Sequence, residues 1–288
     1  MIKINGIKIE GKHFPDNTQL LNNIEFNTSN YSIFEVTWLY ENDEEMITLM
    51  YLMKHYRNNY PVISKHYCNV LTMPYLPNAR YDRTKSETEV FTLKYFCDFI
   101  NDLKFDCVKI FDPHSDVGVG LLNNVRVIKP EIAVKNIIDS ISNLEGEQPM
   151  LYFPDAGAKK RYSYIYEKLE NKCDVCYGQK VREWETGKIL GLEIEYDTPN
   201  FIDFNGKTVI MIDDIISYGG TMYYSAIKLK EAGVKNIYIY CSHLENSVLD
   251  EEKGTLIKLL NDGTIKRVYT SNSLFTGKHN IIDVIQEF

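Results

Sequence analysis

The chain has 288 residues, 44% of them apolar and 25% charged, which fits a globular protein of two average-sized domains and excludes a disordered one. Thirty-two basic against forty acidic residues leave a net charge of -8 and a pI near 5.4. That balance excludes a protein that wraps a phosphate backbone with clustered Lys and Arg, so no nucleic-acid partner is expected. Residues 1–12 alternate Ile with Lys, Asn and Glu and lack the apolar run of a secretory leader. No apolar stretch reaches the length needed to span a bilayer, so a cytoplasmic protein with no membrane partner is expected. The six cysteines (68, 97, 107, 173, 176 and 241) read as reduced thiols. Cys173 and Cys176 have CxxC spacing, but no second ligand pair follows at finger or ribbon distance, which favours small half-buried thiols near a strand.

In chain order, residues 68–73 read as a strand that stops at Pro74. Ser86 and Glu89 have the spacing of a capping box. Behind them Val90, Leu93, Phe96, Cys97, Ile100 and Leu103 form an apolar stripe at helical period. Residues 107–111 are a second strand, ended by Asp112-Pro113, and 126–128 a third. Residues 132–144 have a helical pattern, and 150–153 form a strand that stops at Pro154-Asp155. Val209 to Ile212 is wholly apolar, 221–232 is a helix closed by Gly233, and 237–241 is the next strand. Strands alternating with helices predict an α/β fold with two mainly parallel sheets, divided into residues 1–128 and 129–288. His114, Asp155, and the pair Asp213-Asp214 are each placed just past a strand, at the rim where open α/β sheets bind ligands.

The strongest local signal is Ile212 to Thr221, where an apolar strand runs into two carboxylates, a Gly-Gly turn and a helix. Such a turn offers backbone N–H groups and a helix dipole to an anion. The carboxylates suit the vicinal hydroxyls of a ribose, directly or through Mg²⁺; the plainer reading is an ordinary turn in which they cap the helix.

This segment resembles the phosphoribosyl diphosphate (PRPP) binding signature shared by phosphoribosyltransferases and ribose-phosphate diphosphokinases. Residues 73–83, Met-Pro-Tyr-Leu-Pro-Asn-Ala-Arg-Tyr-Asp-Arg, resemble a stretch of the diphosphokinases written PYxxYARQDR. Asp112-Pro-His-Ser115 resembles their D-L-H-S/A element, and Pro154 to Arg161 their P-D-x-G-x-x-x-R element. Lys180-Val-Arg182 resembles their catalytic K-x-R, and Phe14-Pro-Asp16 the start of their F-x-D-G-E adenine loop. The resemblance implies two phosphoribosyltransferase-like domains, the first serving ATP and the second a ribose phosphate. It implies a Mg²⁺-dependent transfer of the diphosphoryl group of ATP to an anomeric hydroxyl, with release of AMP, in a homo-oligomer built from dimers.

By the same resemblance, Lys180, Arg182 and Arg80 are catalytic. Phe14, Asp16, Arg80, Tyr81 and His114 serve ATP, and His114 and Asp155 the metal, His114 through water because Mg²⁺ prefers oxygen ligands. Asp213, Asp214, Ser217, Tyr218, Gly219, Gly220 and Thr221 hold the ribose phosphate. Trp184 and Gly187 fall in the loop implied to close over the reaction; His243, which follows a predicted strand, reads like the other remaining histidines as a surface or structural residue, with only a weak case for facing the site. The departures concern recognition. Ser217 and Tyr218 replace an acidic residue and a threonine, Tyr81 replaces a glutamine, Asn78 a tyrosine, and Asn17 and Thr18 replace Gly and Glu. They leave ADP-ribose, which places the chain in NAD metabolism, open as acceptor beside ribose 5-phosphate. A base phosphoribosyltransferase would have no need of the Arg80 and His114 half, and a non-catalytic regulatory homologue would be expected to lose Lys180, Arg182, His114 or Asp155.

Overall fold

The computed structural model describes residues 1–26, 32–168, 173–182, 189–196 and 203–288. The chain divides into two compact units, Met1–Lys129 with Phe288, and Pro130–Glu287.

Unit 1 begins with four short strands, β1 (Ile2–Ile4), β2 (Ile7–Lys8), β3 (Lys12–His13) and β4 (Gln19–Leu20), then β5 (Ile33–Trp38). It continues through α1 (Glu44–Asn59), α2 (Pro61–His66), β6 (Cys68–Thr72), α3 (Thr92–Asp102), β7 (Cys107–Phe111), α4 (Asp116–Leu121) and β8 (Val125–Ile128). Its sheet runs β2-β1-β5-β6-β7-β8. From β5 to β8 the strands are parallel and step in one direction, while β1 is antiparallel to both neighbours. β3 and β4 form a separate hairpin. Strand β5 buries alternate residues, Phe34, Val36 and Trp38, against α1, where the Phe34 ring stacks on Tyr56 at 3.8 Å between centroids. On α3 the predicted stripe is buried from Leu93 to Leu103, but Val90 is exposed and lies outside the helix.

Unit 2 comprises α5 (Glu131–Glu145), β9 (Met150–Phe153), α6 (Ala156–Arg161), α7 (Ser163–Lys168), β10 (Val175–Arg182), β11 (Ile189–Tyr196), β12 (Thr208–Ile216) and α8 (Gly220–Glu231). It ends with β13 (Asn236–Leu244), a 3-10 turn at Asn246–Leu249, α9 (Leu256–Asn261), β14 (Ile265–Ser271) and β15 (Ile282–Ile285). The sheet order is β11-β10-β9-β12-β13-β14-β15, parallel except for the β10–β11 pair. After β9 the chain first adds β10 on one side and later returns to place β12 on the other. The C-terminal ends of β9 and β12 therefore flank the crevice where open α/β sheets bind ligands.

Helices cover both faces of this sheet, which explains the unbroken apolar run in β12. Val209 and Met211 join one core with Ile237, Met222 and Leu229, whereas Ile210 and Ile212 join the other with Leu151, Val134 and Ile138. Each such side chain contributes about 1.5–3 kcal/mol by burial, so polar residues are confined to where the strand leaves the two cores. Asp213 is the first residue at which this happens. The described residues include no helix long and apolar enough to cross a membrane.

Candidate active site

In unit 1 the strand ends of β6 and β7 carry two of the predicted elements. The amide of Met73 donates to the Lys109 carbonyl and that of Phe111 to the Pro74 carbonyl, which stitches the two loops together as they leave the sheet. A Cβ on Gly118 of α4 would overlap the end of the Leu76 side chain, which would have to shift to admit a larger residue, so the 74–80 loop lies close against α4. Beyond it, Arg80 is exposed, and Asp82 reaches the neighbourhood of His114. Burial alone would raise the Asp82 carboxyl; the hydrogen bond from Arg83, with the influence of Ser115 and His114, holds it below its ordinary value instead.

The predicted capping box is replaced by another contact. α3 starts at Thr92 with no side-chain cap. The Glu89 carboxylate instead accepts the backbone N–H of Lys85 at 2.7 Å and the Tyr81 hydroxyl at 2.9 Å. These two bonds hold the Glu89 carboxyl below its usual range, the Lys85 bond contributing most. The capping-box expectation is thus not met: the glutamate serves two partners within the preceding loop, and the helix begins three residues after it.

Phe14 and Asp16 lie in the turn between β3 and β4. The Phe14 amide donates to the Thr18 carbonyl, and the Asp16 carboxylate accepts from both the amide and the hydroxyl of Thr18. Asn17 has φ 64°, so it occupies the left-handed conformation that asparagine tolerates nearly as well as the glycine it replaces. Phe14 is half exposed. The hairpin is tied to α1 through Glu44, which sits 2.6 Å from His13 Nε2 and accepts from Gln19 at 3.0 Å.

In unit 2, Asp155 follows β9 as expected and caps α6 by accepting the Ala158 amide at 2.9 Å. The paired carboxylates differ from expectation: β12 runs on to Ile216, and its ladder with β13 includes Asp213↔Cys241 and Ile216↔Leu244, so both aspartates lie inside the strand. They also have different surroundings. Asp214 is buried and forms an ion pair with Arg161, the last residue of α6. Asp213 is partly exposed, and its carboxyl is pushed well above the usual carboxylate range. The first cause is burial, followed by the charge and hydrogen bonding of Asp214 and by the charge of Asp155. Sequence reasoning treated the two as equivalent; the Arg161 side chain separates them, and nothing local in the sequence foretold it.

The turn after β12 is set by residues about 30–40 positions further along the chain. The Tyr218 carbonyl accepts three bonds, from the amides of Thr255 and Leu256 at 3.0 and 3.3 Å and from the Thr255 hydroxyl at 3.2 Å. Ser217 Oγ lies 3.2 Å from Ser247 Oγ, which donates to Glu245 at 3.2 Å. Gly219 is the N-cap of α8 with φ 81°, and a Cβ there would overlap Leu256. Having no side chain, this N-cap leaves the first-turn N–H groups of α8 to be satisfied by something else, as an anion does. Gly220 and Thr221 open the helix, and Tyr218 is 40% exposed.

Lys180 and Arg182 lie on β10, where Lys180 pairs with Leu192 of β11 and a bulge falls between Val181 and Arg182. Trp184 and Gly187 lie outside the described residues. His243 is not beyond its strand but buried within β13, its Nδ1 2.8 Å from Ser273 Oγ, which is the environment of a packed structural histidine. The Cys176 thiol is buried and its pKa is pushed up by that burial, which leaves it a poor nucleophile and metal ligand.

Among the described residues, no group of three or more His, Cys, Asp and Glu side chains is gathered so as to hold a metal. Mg²⁺ commonly takes only one or two carboxylates and completes its shell with water and substrate phosphates. Asp213 and Asp155 fit that habit: burial does most to raise the Asp213 carboxyl, but the charges of Asp214 and Asp155 add to it, and a hard cation would relieve that part.

Residues 128–268 match the phosphoribosyl transferase domain family. Over 99% of its length the chain is 26% identical to a ribose-phosphate pyrophosphokinase of Sulfurisphaera tokodaii, covering 91% of that protein. It is also 26% identical to the ribose-phosphate pyrophosphokinase of Sulfolobus acidocaldarius, over 96% of this chain and 89% of that one. The crystal structure of phosphoribosylpyrophosphate synthetase from Mycobacterium smegmatis has the same fold, with a TM-score of 0.65 at 17% identity over 96% of this chain and 85% of that one.

Proposed function

We propose, for a chain that is a divergent relative of the ribose-phosphate pyrophosphokinases, that it transfers the diphosphoryl group of ATP to the anomeric hydroxyl of a ribose 5-phosphate moiety. The observation that carries this reading is the second cluster. A glycine-capped helix start for a phosphate follows the strand β12, which carries the carboxylate for ribose hydroxyls within it, at the switch point of a parallel sheet.

The anomeric oxygen attacks the β-phosphorus of ATP, the bond from that phosphorus to the α–β bridging oxygen breaks, and AMP leaves. The hydroxyl proton passes to solvent. Such a transfer asks the protein for positioning and for neutralisation of charge on phosphate oxygens, more than for a strong base.

In unit 2 the N–H groups from Ser217 to Thr221 hold the 5′-phosphate, and Asp213 accepts from the ribose hydroxyls. Asp214, fixed by Arg161, keeps Asp213 in place and keeps its proton affinity high. Lys180 and Arg182 supply fixed positive charge to the transferring group. In unit 1, Arg80 binds the ATP phosphates, Phe14 and Asp16 address the adenine, and His114 would serve a nucleotide-bound cation through water. Asp155 and Asp213 are the residues that would hold a Mg²⁺ ion on the acceptor side, and such an ion would supply charge neutralisation at the phosphate oxygens. The assembly from dimers that the resemblance implies belongs to the same proposal, and light scattering reads it.

ADP-ribose is the second reading of the acceptor. The observation in its favour is Tyr218, a half-exposed aromatic in the turn where the relatives' signature has a threonine. Its ring offers a stacking face to an extension beyond the phosphate. Incubation of the protein with ATP, Mg²⁺ and either acceptor, with products identified by mass spectrometry, separates the readings. AMP with a diphosphorylated ribose 5-phosphate supports the first, and AMP with diphosphorylated ADP-ribose the second. AMP formation with neither acceptor refutes both.

A further inference from the structure

We infer that Tyr81 and Glu89 form a clasp that positions the ATP-side loop, with Tyr81 acting through Glu89 and not by reading the nucleotide itself. The inference rests on the proposed reading of Arg80 as an ATP ligand and adds to it.

The loop after β6 leaves the sheet at Met73 and next joins regular structure at Thr92. Leu76 and Ala79 are still buried in the core of unit 1, but from Arg80 to Val90 the chain is mostly exposed, and burial cannot fix its shape there. What holds residues 78–89 is a short series of bonds. The Tyr81 amide donates to the Asn78 carbonyl at 2.9 Å, and Asn78 takes a left-handed φ of 63° to make that turn. Eight residues later, Glu89 closes the loop by accepting the Tyr81 hydroxyl at 2.9 Å and the Lys85 amide at 2.7 Å. Glu89 stands just before α3, whose side chains Leu93, Phe96, Cys97 and Ile100 are buried in the core of unit 1. The clasp thus transmits the rigidity of that helix to a loop that has no core of its own.

The segment enclosed by the clasp carries Asp82, Arg83 and Lys85, and Arg80 stands immediately outside it. Asp82 in turn lies close enough to His114 for their charges to interact. One tyrosine–glutamate bond therefore fixes the segment that connects Arg80 with the loop bearing His114. A glutamine at position 81 has a shorter reach, so the substitution that sets this chain apart from the PYxxYARQDR pattern is also the one that makes the contact with Glu89. Tyr81 is a positioning residue on this account, since its hydroxyl is already engaged.

The test uses the full-length protein and the variants Tyr81→Phe, Glu89→Gln and the double variant. Initial rates are measured against ATP at saturating acceptor, and against acceptor at saturating ATP. The expected result is a KM for ATP raised about three- to tenfold in each single variant, the cost of losing one hydrogen bond to a charged group. The turnover number and the acceptor KM should change less than about twofold, and the double variant should be no worse than the worse single one. A general loss of structure would move all three parameters together. Limited trypsin digestion supplies a readout independent of activity: cleavage after Arg80, Arg83 and Lys85 should be faster in all three variants. An unchanged KM for ATP in Tyr81→Phe, or additive effects in the double variant, overturns the clasp whatever the digestion shows. Absence of ATP-dependent AMP formation in the unsubstituted protein overturns the proposed function instead, and the two failures are thereby distinguished.

Discussion

The two units solve the same problem, presenting charged groups at the rim of a parallel sheet, by different means. In unit 2 the cluster proposed to bind the acceptor is built into the sheet. Asp213 and Asp214 are still within β12, Asp214 is buried on Arg161, and the Tyr218 carbonyl is held by three donors. In unit 1 Arg80 and the Phe14–Asp16 turn are on exposed connections tied down by side chains such as Glu89 and Glu44, and only His114 is in a short, half-buried loop. Topology underlies the contrast. The strands of unit 2 diverge around β9 and leave a crevice to be lined, whereas the parallel strands of unit 1 step one way and their loops must make their own shape. Damage to the acceptor cluster should therefore affect folding as well as catalysis, and damage to the ATP-side loops catalysis alone.

The largest effect is expected at Lys180. Replacement by Ala should lower turnover by about a hundredfold or more, the usual loss when one group that stabilises transition-state charge is removed. Its melting temperature should stay put; full activity in the variant would remove Lys180 from the catalytic set.

Gly219→Ala tests the rigidity of the acceptor turn. It forces a β-carbon into Leu256 at a positive φ, so a loss of about 2 kcal/mol in unfolding free energy and a clear rise in the acceptor KM are expected. Denaturant unfolding that matches the unsubstituted protein would mean the turn is looser than its contacts indicate.

Asp213→Asn should separate stability from function. Because the Asp213 pKa is raised on folding, the native state holds this proton more tightly than the unfolded chain does. Its contribution is fully favourable below the unfolded value and is lost as pH rises through the higher folded one. At neutral pH the amide should thus stabilise the fold, by on the order of 1 kcal/mol, while turnover falls sharply. The fall in stability between acidic and neutral pH should also be shallower in the variant; identical stability–pH curves would show that Asp213 carries no such strain.

Thr255→Val removes one of three donors to the Tyr218 carbonyl and should cost about 1 kcal/mol, with a several-fold rise in acceptor KM and none in ATP KM. Tyr81→Phe is its counterpart in unit 1, expected to raise the KM for ATP with no measurable change in melting temperature. If Thr255→Val leaves stability untouched, or Tyr81→Phe lowers it, the contrast between the two units fails.

Much of the architecture was legible in the sequence because buried parallel strands leave an unmistakable apolar run. Cys107 to Phe111 and Met150 to Phe153 have the bounds expected of them, since proline follows within two residues and stops each strand. The end of β12 was misplaced because hydrophobicity ceases at Ile212, while main-chain pairing continues to Ile216. Ser86-Glu-Thr-Glu89 looked like a helix cap because spacing alone cannot say that a tyrosine will reach the glutamate first. The partners that shape the acceptor turn, Ser247, Thr255 and Leu256, lie about 30 or more residues away from it and leave no periodic trace. Motifs mark the candidate positions; contacts elsewhere in the chain decide how each motif is held.

The central claim is diphosphoryl transfer, and the most direct test follows the fate of the β-phosphorus. ATP radiolabelled at that atom is incubated with the protein, Mg²⁺ and ribose 5-phosphate or ADP-ribose, and the labelled products are separated by chromatography. The account predicts unlabelled AMP and a label that moves, with the γ-phosphorus, onto the anomeric oxygen of the acceptor. Label retained in ADP, or recovered as free diphosphate with the acceptor unchanged, would contradict it.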